Sequence, residues 1–149
     1  MTRRPGHSGF TLYEAMMVLL IVGIVVGALT PSVRRQLTRG RINRAANVMA
    51  ADLMLAQSIA GRQRIPVRVT YDLTNTLVTV VDSRAAATNY LTRRLGMDSD
   101  FKLTTLTASP TSVLVMPNGT ASTGLTITVS DGSFQRQIRM TRAGMIRVT

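Results

Sequence analysis

A run of fifteen residues without a polar side chain, from Ala15 to Leu29, constrains this chain more than any other feature. With Phe10 and Leu12 before it, the apolar length reaches about twenty residues, which as a helix matches the hydrocarbon core of a bilayer. We therefore expect residues 10–30 to form a single helix that spans a membrane.

Glu14 is the acidic exception in the first turns of this helix. An ionised carboxylate at mid-bilayer costs about 2.5–3.5 kcal/mol, so it is expected to have a use or a partner. Two interpretations are open. In one, Glu14 stays hydrated near the membrane surface and the segment is an ordinary N-terminal signal anchor. In the other, a cation supplied by a neighbouring molecule neutralises Glu14.

The motif G-F-T-L-x-E from Gly9 to Glu14, followed by the apolar run, resembles the processing site of type IV prepilins and pseudopilins. The resemblance implies that a membrane-embedded prepilin peptidase cuts after Gly9 and methylates the new N-terminus at Phe10. It also implies that Glu14 sets the register of subunits in a filament by pairing with the Phe10 amine of a neighbour. Pro31, twenty-one residues after Phe10, matches the same family.

The leader MTRRPGHSG does not fit a secretory signal peptide, because the expected cut precedes the apolar segment instead of following it. It contains the only histidine, His7, and the chain has no cysteine. No nucleophile–base set, phosphate-binding loop or Cys/His cluster is present, so we expect no enzyme activity, no cofactor and no metal site. Asp98 and Asp100 could offer oxygens to calcium, but the better interpretation is a solvated turn.

The net charge of the chain bears on the kind of partner it binds, and the distribution of its arginines bears on its orientation in a membrane. Eighteen basic residues, all but Lys102 arginine, oppose seven acidic ones, for a net charge of +11, which favours an anionic partner or surface. The positive-inside rule would place the basic cluster after the helix in the cytoplasm. The resemblance implies the reverse: a single-pass inner-membrane protein with a cytoplasmic leader and an extracytoplasmic C-terminal domain. The cluster comprises Arg34, Arg35, Arg39, Arg41 and Arg44.

Beyond Pro31 the helix is expected to continue to about Gly61, ahead of Pro66. Apolar residues at spacings of three and four form a stripe that should pack on the rest of the domain. Arg44, Asn47 and Asp52 lie off that stripe. Its members are Ile42, Ala45, Ala46, Met49, Leu53, Ala56, Ile59 and Ala60.

From residue 65 onward the pattern becomes that of strands. Residues 66–72 and 77–82 alternate around a turn and predict a hairpin with Val67, Val69 and Tyr71 on one face. Residues 83–100 are predicted to form a loop with a short helix at 91–95. Turn signals separate the further strands of one antiparallel sheet, at residues 101–107, 113–116, 125–130, 135–141 and 145–148.

Two stretches resemble the GspH/FimT group of minor pseudopilins and minor pilins. They are LMLAQSIAGRQRIPVRV from Leu53, and VLVMPNGTAS from Val113 with LTITVSDGSFQRQIRMTRAGMIRV after it. The resemblance implies an α+β, type IV pilin-like fold with a long helix packed on an antiparallel sheet. The expected divisions are a leader (1–9), a transmembrane and filament-core helix (10–30), its amphipathic continuation (31–61) and a β domain (62–149). The implied function is a structural subunit of a type II secretion pseudopilus or type IV pilus, assembled with other pilins.

The C-terminal arginines carry an alternative function. Some FimT-branch proteins bind DNA for natural transformation through a Gly-Arg-x-Arg segment, which matches Gly144 and Arg147 here with Met145 in place of the first arginine. Arginine–phosphate contacts would give a sequence-independent, salt-sensitive interaction. A solvated or subunit-facing basic edge is the other interpretation. The residues concerned are Arg136, Arg139, Arg142 and Arg147.

Overall fold

The computed structural model describes residues 11–84 and 88–149, except for the side chains of residues 28–31. One helix, α1, runs over Leu12–Gln63 and continues without a break through residue 31. It ends two residues beyond the expected position, where Arg64 takes a positive φ of 55° ahead of Pro66. The chain forms two compact units, Met1–Leu37 and Thr38–Thr149.

In the first unit, the described large apolar side chains of α1 are exposed. From Leu12 to Val26 the large hydrophobic side chains are between 48% and 82% exposed. By length and composition α1 is the one helix, among the described residues, that could cross a membrane. An all-round apolar surface of this kind is stable only in an apolar surrounding, such as lipid or other helices.

In the second unit, the strands form two four-stranded antiparallel sheets, where the sequence predicted one. Strand alternation predicts which residues are strands but not which strands pair, so the division was not visible in the sequence. Sheet A has the order β3-β2-β1-β5 and sheet B has the order β4-β6-β7-β8. The strands are β1 (Val67–Asp72), β2 (Leu77–Asp82), β3 (Asn89–Arg94), β4 (Thr105–Ser109), β5 (Ser112–Val115), β6 (Leu125–Ser130), β7 (Gln135–Met140) and β8 (Ile146–Val148).

The predicted hairpin is confirmed as β1 and β2, with Val67, Val69 and Tyr71 buried and Arg68 exposed. The predicted short helix at 91–95 is wrong, because residues 89–94 form β3, which pairs with β2. The other described residues of the predicted loop, at 83–84, 88 and 95–100, lie outside helices and strands as expected. A strand at 101–107 is also wrong at its start. Lys102 has a positive φ of 49°, which interrupts an extended chain, and β4 begins at Thr105.

The core lies between α1 and the two sheets, and the predicted stripe supplies its helical side. All stripe members except the half-buried Ile59 are fully or nearly fully buried. Arg44 and Asn47 are exposed as expected. Asp52 was expected outside the stripe, but it is buried, since an arginine from sheet A reaches it. The fold is α+β, as predicted.

Candidate functional site

Glu14 is the third residue of α1 and carries the only acidic group in the first turn of the helix. Its backbone N–H donates to the Thr11 hydroxyl at 3.3 Å, so Thr11 caps the helix. The Glu14 side chain is exposed, and no ion pair within the described residues involves it. The carboxylate is therefore available to a group from another molecule.

Gly9 and Phe10, the residues assigned to cleavage and methylation, lie outside the described residues. Cleavage after Gly9, methylation of Phe10 and pairing of its amine with Glu14 therefore stay predictions.

Two of the four C-terminal arginines are brought together on the outer face of sheet B. Arg139 on β7 lies directly opposite Arg147 on β8 in the antiparallel register. Both side chains are exposed, and the one side-chain hydrogen bond of this pair within the described residues runs from Arg139 to the Gln137 amide oxygen at 3.1 Å. Because like charges directly opposite each other on a sheet repel, an anion placed between them would be stabilised.

Arg136 is separated from that pair and has an internal role. Its Nε donates to the Asn43 side-chain oxygen at 2.8 Å, which fastens β7 to α1. The guanidinium also lies 5.4 Å from the centroid of the Phe134 ring, and Arg39 lies 5.8 Å from it. These are cation–π distances. Arg136 alternates with Arg139 along β7 and so faces the other side of the sheet.

Arg142 is exposed in the turn between β7 and β8. This turn is bound by Gln57, a residue for which the sequence predicts no role. Gln57 of α1 donates to the carbonyl of Gly119 at 3.1 Å and to that of Gly144 at 2.8 Å. Gly144 has a φ of 86°, and a Cβ there would overlap the Gly119 carbonyl oxygen. The two turns can approach each other this closely only because Gly144 carries no side chain, whereas a Cβ at Gly119 would meet nothing within 4 Å.

The buried ion pair between α1 and sheet A was also missed. Arg93 of β3 donates to both carboxylate oxygens of Asp52, at 2.6 and 2.9 Å. Hydrogen bonding to Asp52 raises the pKa of Arg93. Burial, and then the negative charge of Asp52, raise the pKa of Tyr71 well above its usual value. An aspartate beside an apolar helical stripe is the available signal, but its partner lies in a segment whose polar residues predict a loop.

Within residues 11–84 and 88–149, no group of three or more His, Cys, Asp or Glu side chains is placed to hold an ion.

Two models of known protein families together match most of the chain. A family model described as Type II transport protein GspH matches residues 45–144. A second model, described as the prokaryotic N-terminal methylation motif, matches residues 4–30. No curated protein sequence matches the chain.

Solved structures match the fold. The type IV minor pilin FimU of Pseudomonas aeruginosa aligns with a TM-score of 0.60 at 19% identity, over 74% of this chain and 90% of FimU. The minor pseudopilin EpsH from the Type 2 Secretion System of Vibrio cholerae aligns with a TM-score of 0.58 at 15% identity, over 73% of this chain and 96% of EpsH. The fold is therefore type IV pilin-like.

Proposed function

Since the chain belongs to the family of the type II transport protein GspH, we propose that it is a structural minor subunit of an extracytoplasmic filament. The filament is a type II secretion pseudopilus or a type IV pilus, and the subunit works by assembly without catalysis. FimU and EpsH, one a minor pilin and the other a minor pseudopilin, share its fold.

The observation that carries this proposal is the exposed apolar helix with one carboxylate in its first turn. Before assembly the helix spans the inner membrane, with the β domain outside the cytoplasm. Assembly transfers it from lipid to a bundle of similar helices. Both surroundings are apolar, so the transfer needs little desolvation of side chains, and the carboxylate supplies a specific contact.

Processing provides the cation for that contact. The methylation-motif match over residues 4–30 supports cleavage by a prepilin peptidase after Gly9 and N-methylation of Phe10. The new amine of one subunit pairs with Glu14 of a neighbour, which neutralises both charges in an apolar bundle. This pairing fixes the axial register of the subunits.

The test follows the full chain through cleavage, membrane insertion and filament incorporation. Glu14→Ala should be cleaved and inserted normally but should be depleted from filaments, because the amine of its neighbour lacks a partner. Asp98→Ala, which removes an equal charge from an exposed residue of the β domain, is the matched control. Normal incorporation of Glu14→Ala would contradict the pairing.

The cleavage site has its own test. Gly9→Val should leave the leader attached, and N-terminal sequencing or mass spectrometry of the membrane-extracted protein would show it. A mature N-terminus still at Phe10 in this variant would refute the assignment.

DNA capture is the second candidate, and the Arg139–Arg147 pair is the observation that favours it. Titration of the full chain with duplex DNA at two salt concentrations should show binding that falls steeply with salt. Arg142→Ala and Arg147→Ala should weaken that binding, whereas Arg68→Ala on β1 should not. If the wild-type chain does not bind at low salt, only the structural role stands.

A further inference from the structure

A second stripe, made of small and apolar residues, follows the outward side of α1, away from the core. Its residues recur at alternating spacings of four and three, which is the repeat of a coiled-coil seam. We call this stripe the outer seam. It consists of Val48, Ala51, Leu55 and Ser58, and Arg44 and Arg62 continue the same spacing at its two ends.

The described residues of the second unit leave most of the outer seam uncovered. Ala51 and Ser58 are exposed, Val48 is half-buried, and Leu55 is 42% exposed. Met54, beside the seam, is 55% exposed. Small and branched apolar residues at this spacing allow close approach of another helix, because its side chains can pack between them.

The charges around the seam have one sign. The only acidic residues of α1 are Glu14 and Asp52. Asp52 is buried, and Nε and Nη2 of Arg93 donate hydrogen bonds to its carboxylate. The seam therefore ends in arginines, with Arg41 exposed one turn before Arg44, and has no carboxylate to balance them.

This charge pattern disfavours a second copy of the same chain as the occupant. In a parallel pair, Arg44 would face Arg44 of the other copy and Arg62 would face Arg62. In an antiparallel pair centred on the seam, Arg44 would face Arg62 at both ends. Each arrangement brings like charges together in a partly desolvated contact, and such contacts are strongly unfavourable. The net charge of +11 adds long-range repulsion.

We infer that the outer seam binds a helix from a different subunit of the filament, one that carries an apolar seam of its own with acidic residues at the ends. This assignment rests on the proposed filament function and adds the chemistry of the neighbour. Hydrophobic packing at the centre and arginine–carboxylate pairs at the rim are the usual anatomy of a specific interface. The arginine ends orient the neighbour and exclude a further copy of this chain.

The first test of the outer seam uses this chain alone and reverses the charge of one arginine. In Arg62→Glu an antiparallel pair would gain an Arg–Glu contact at both ends. Sedimentation equilibrium of the full chain in density-matched detergent at low salt should show at least about tenfold tighter self-association than wild type. Adding Leu55→Ser, or raising the salt, should abolish the gain.

Arg68→Glu, an equal charge change at an exposed residue of β1, is the matched control and should stay as monomeric as wild type. Tight self-association of wild type would make a second copy the occupant and overturn the inference. Absence of any gain in Arg62→Glu would show that the seam does not bind a helix and would also overturn it. If Arg68→Glu and Arg62→Glu associated equally, the effect would be due to net charge alone, and this result would also overturn the inference.

The partner is tested in filaments. Arg44→Glu/Arg62→Glu should lower incorporation at least about tenfold, because both ends would then repel an acidic neighbour. Arg68→Glu should be incorporated normally. Normal incorporation of the double variant, with wild type present in filaments, would overturn the seam assignment but leave the proposed function intact. Absence of wild type from every filament would overturn the proposed function itself.

Discussion

The two parts of α1 belong to one helix but have opposite relations to their surroundings. From Leu12 to Val26 the large apolar side chains are exposed on every side, whereas from Ile42 to Ala60 they are buried along one stripe. The first part carries no charge after Glu14 until Arg34, and the second alternates apolar and polar faces. The difference shows that a helical sequence needs an apolar environment supplied from outside when its pattern has no polar face.

The largest expected effect tests directly whether the two parts of α1 differ in their packing. Leu53→Ala, at a side chain that is 1% exposed, should lower the free energy of unfolding of the β domain by about 3 kcal/mol, because it leaves a cavity. Leu20→Ala, the same change at a side chain that is 63% exposed, should stay within about 0.5 kcal/mol. Hydrogen exchange of the β1 amides measures both. Equal losses would show that the first part of α1 also packs on the domain.

An intermediate effect is expected at the buried ion pair. Arg93→Met should lower the free energy of unfolding by about 2 kcal/mol, since it leaves the Asp52 carboxylate buried without its cation. The loss is below that for a fully buried pair because a third of the Arg93 side chain is exposed.

Chemical unfolding followed by circular dichroism measures this loss. Asp52→Leu/Arg93→Met should recover most of it, and the neighbouring exposed Arg94→Met should cost little. If the double variant were less stable than Arg93→Met, the ion pair would not be the source of the effect.

The smallest effect concerns Tyr71 and appears only at alkaline pH. Burial raises its pKa in the folded state, so above about pH 10 the unfolded chain loses this proton while the folded chain keeps it. Stability should therefore fall as pH rises, by at most about 1.4 kcal/mol per pH unit from this group.

Tyr71→Phe should flatten that fall in thermal unfolding measured from pH 9 to pH 11. Tyr90→Phe is the control, because the Tyr90 hydroxyl donates to Gln63 at an exposed position. Parallel pH profiles for wild type and Tyr71→Phe would contradict a raised pKa.

Much of the fold was predictable because it follows from local patterns of apolar residues in the sequence. The core stripe of α1, the β1–β2 hairpin and β6 were predicted correctly from spacings of three, four and two. The α+β class and the family were likewise confirmed. The assembly residues Gly9, Phe10 and Glu14 came from a motif, and their roles stay predictions.

The errors occurred where partners are distant in sequence. Residues 89–94 are polar enough to read as a loop, yet they form β3 because β2 offers them hydrogen bonds and Asp52 offers Arg93 a carboxylate. The hydrogen bond from Arg136 to Asn43, 93 residues earlier in the chain, is a second long-range contact of this kind. No local pattern could identify these contacts.

By itself, the sequence determined an apolar helix with one acid in its first turn, a second helical half with an apolar stripe, and a strand-rich remainder, because hydrophobic periodicity is a local property of the chain. Only the tertiary structure decided that the strands divide into two sheets, that Asp52 is neutralised by Arg93, and that most of an arginine-ended seam on α1 is left uncovered by the described residues of the second unit. Those outcomes depend on long-range pairing of backbone and charged groups, whose free energies are set by which segments meet.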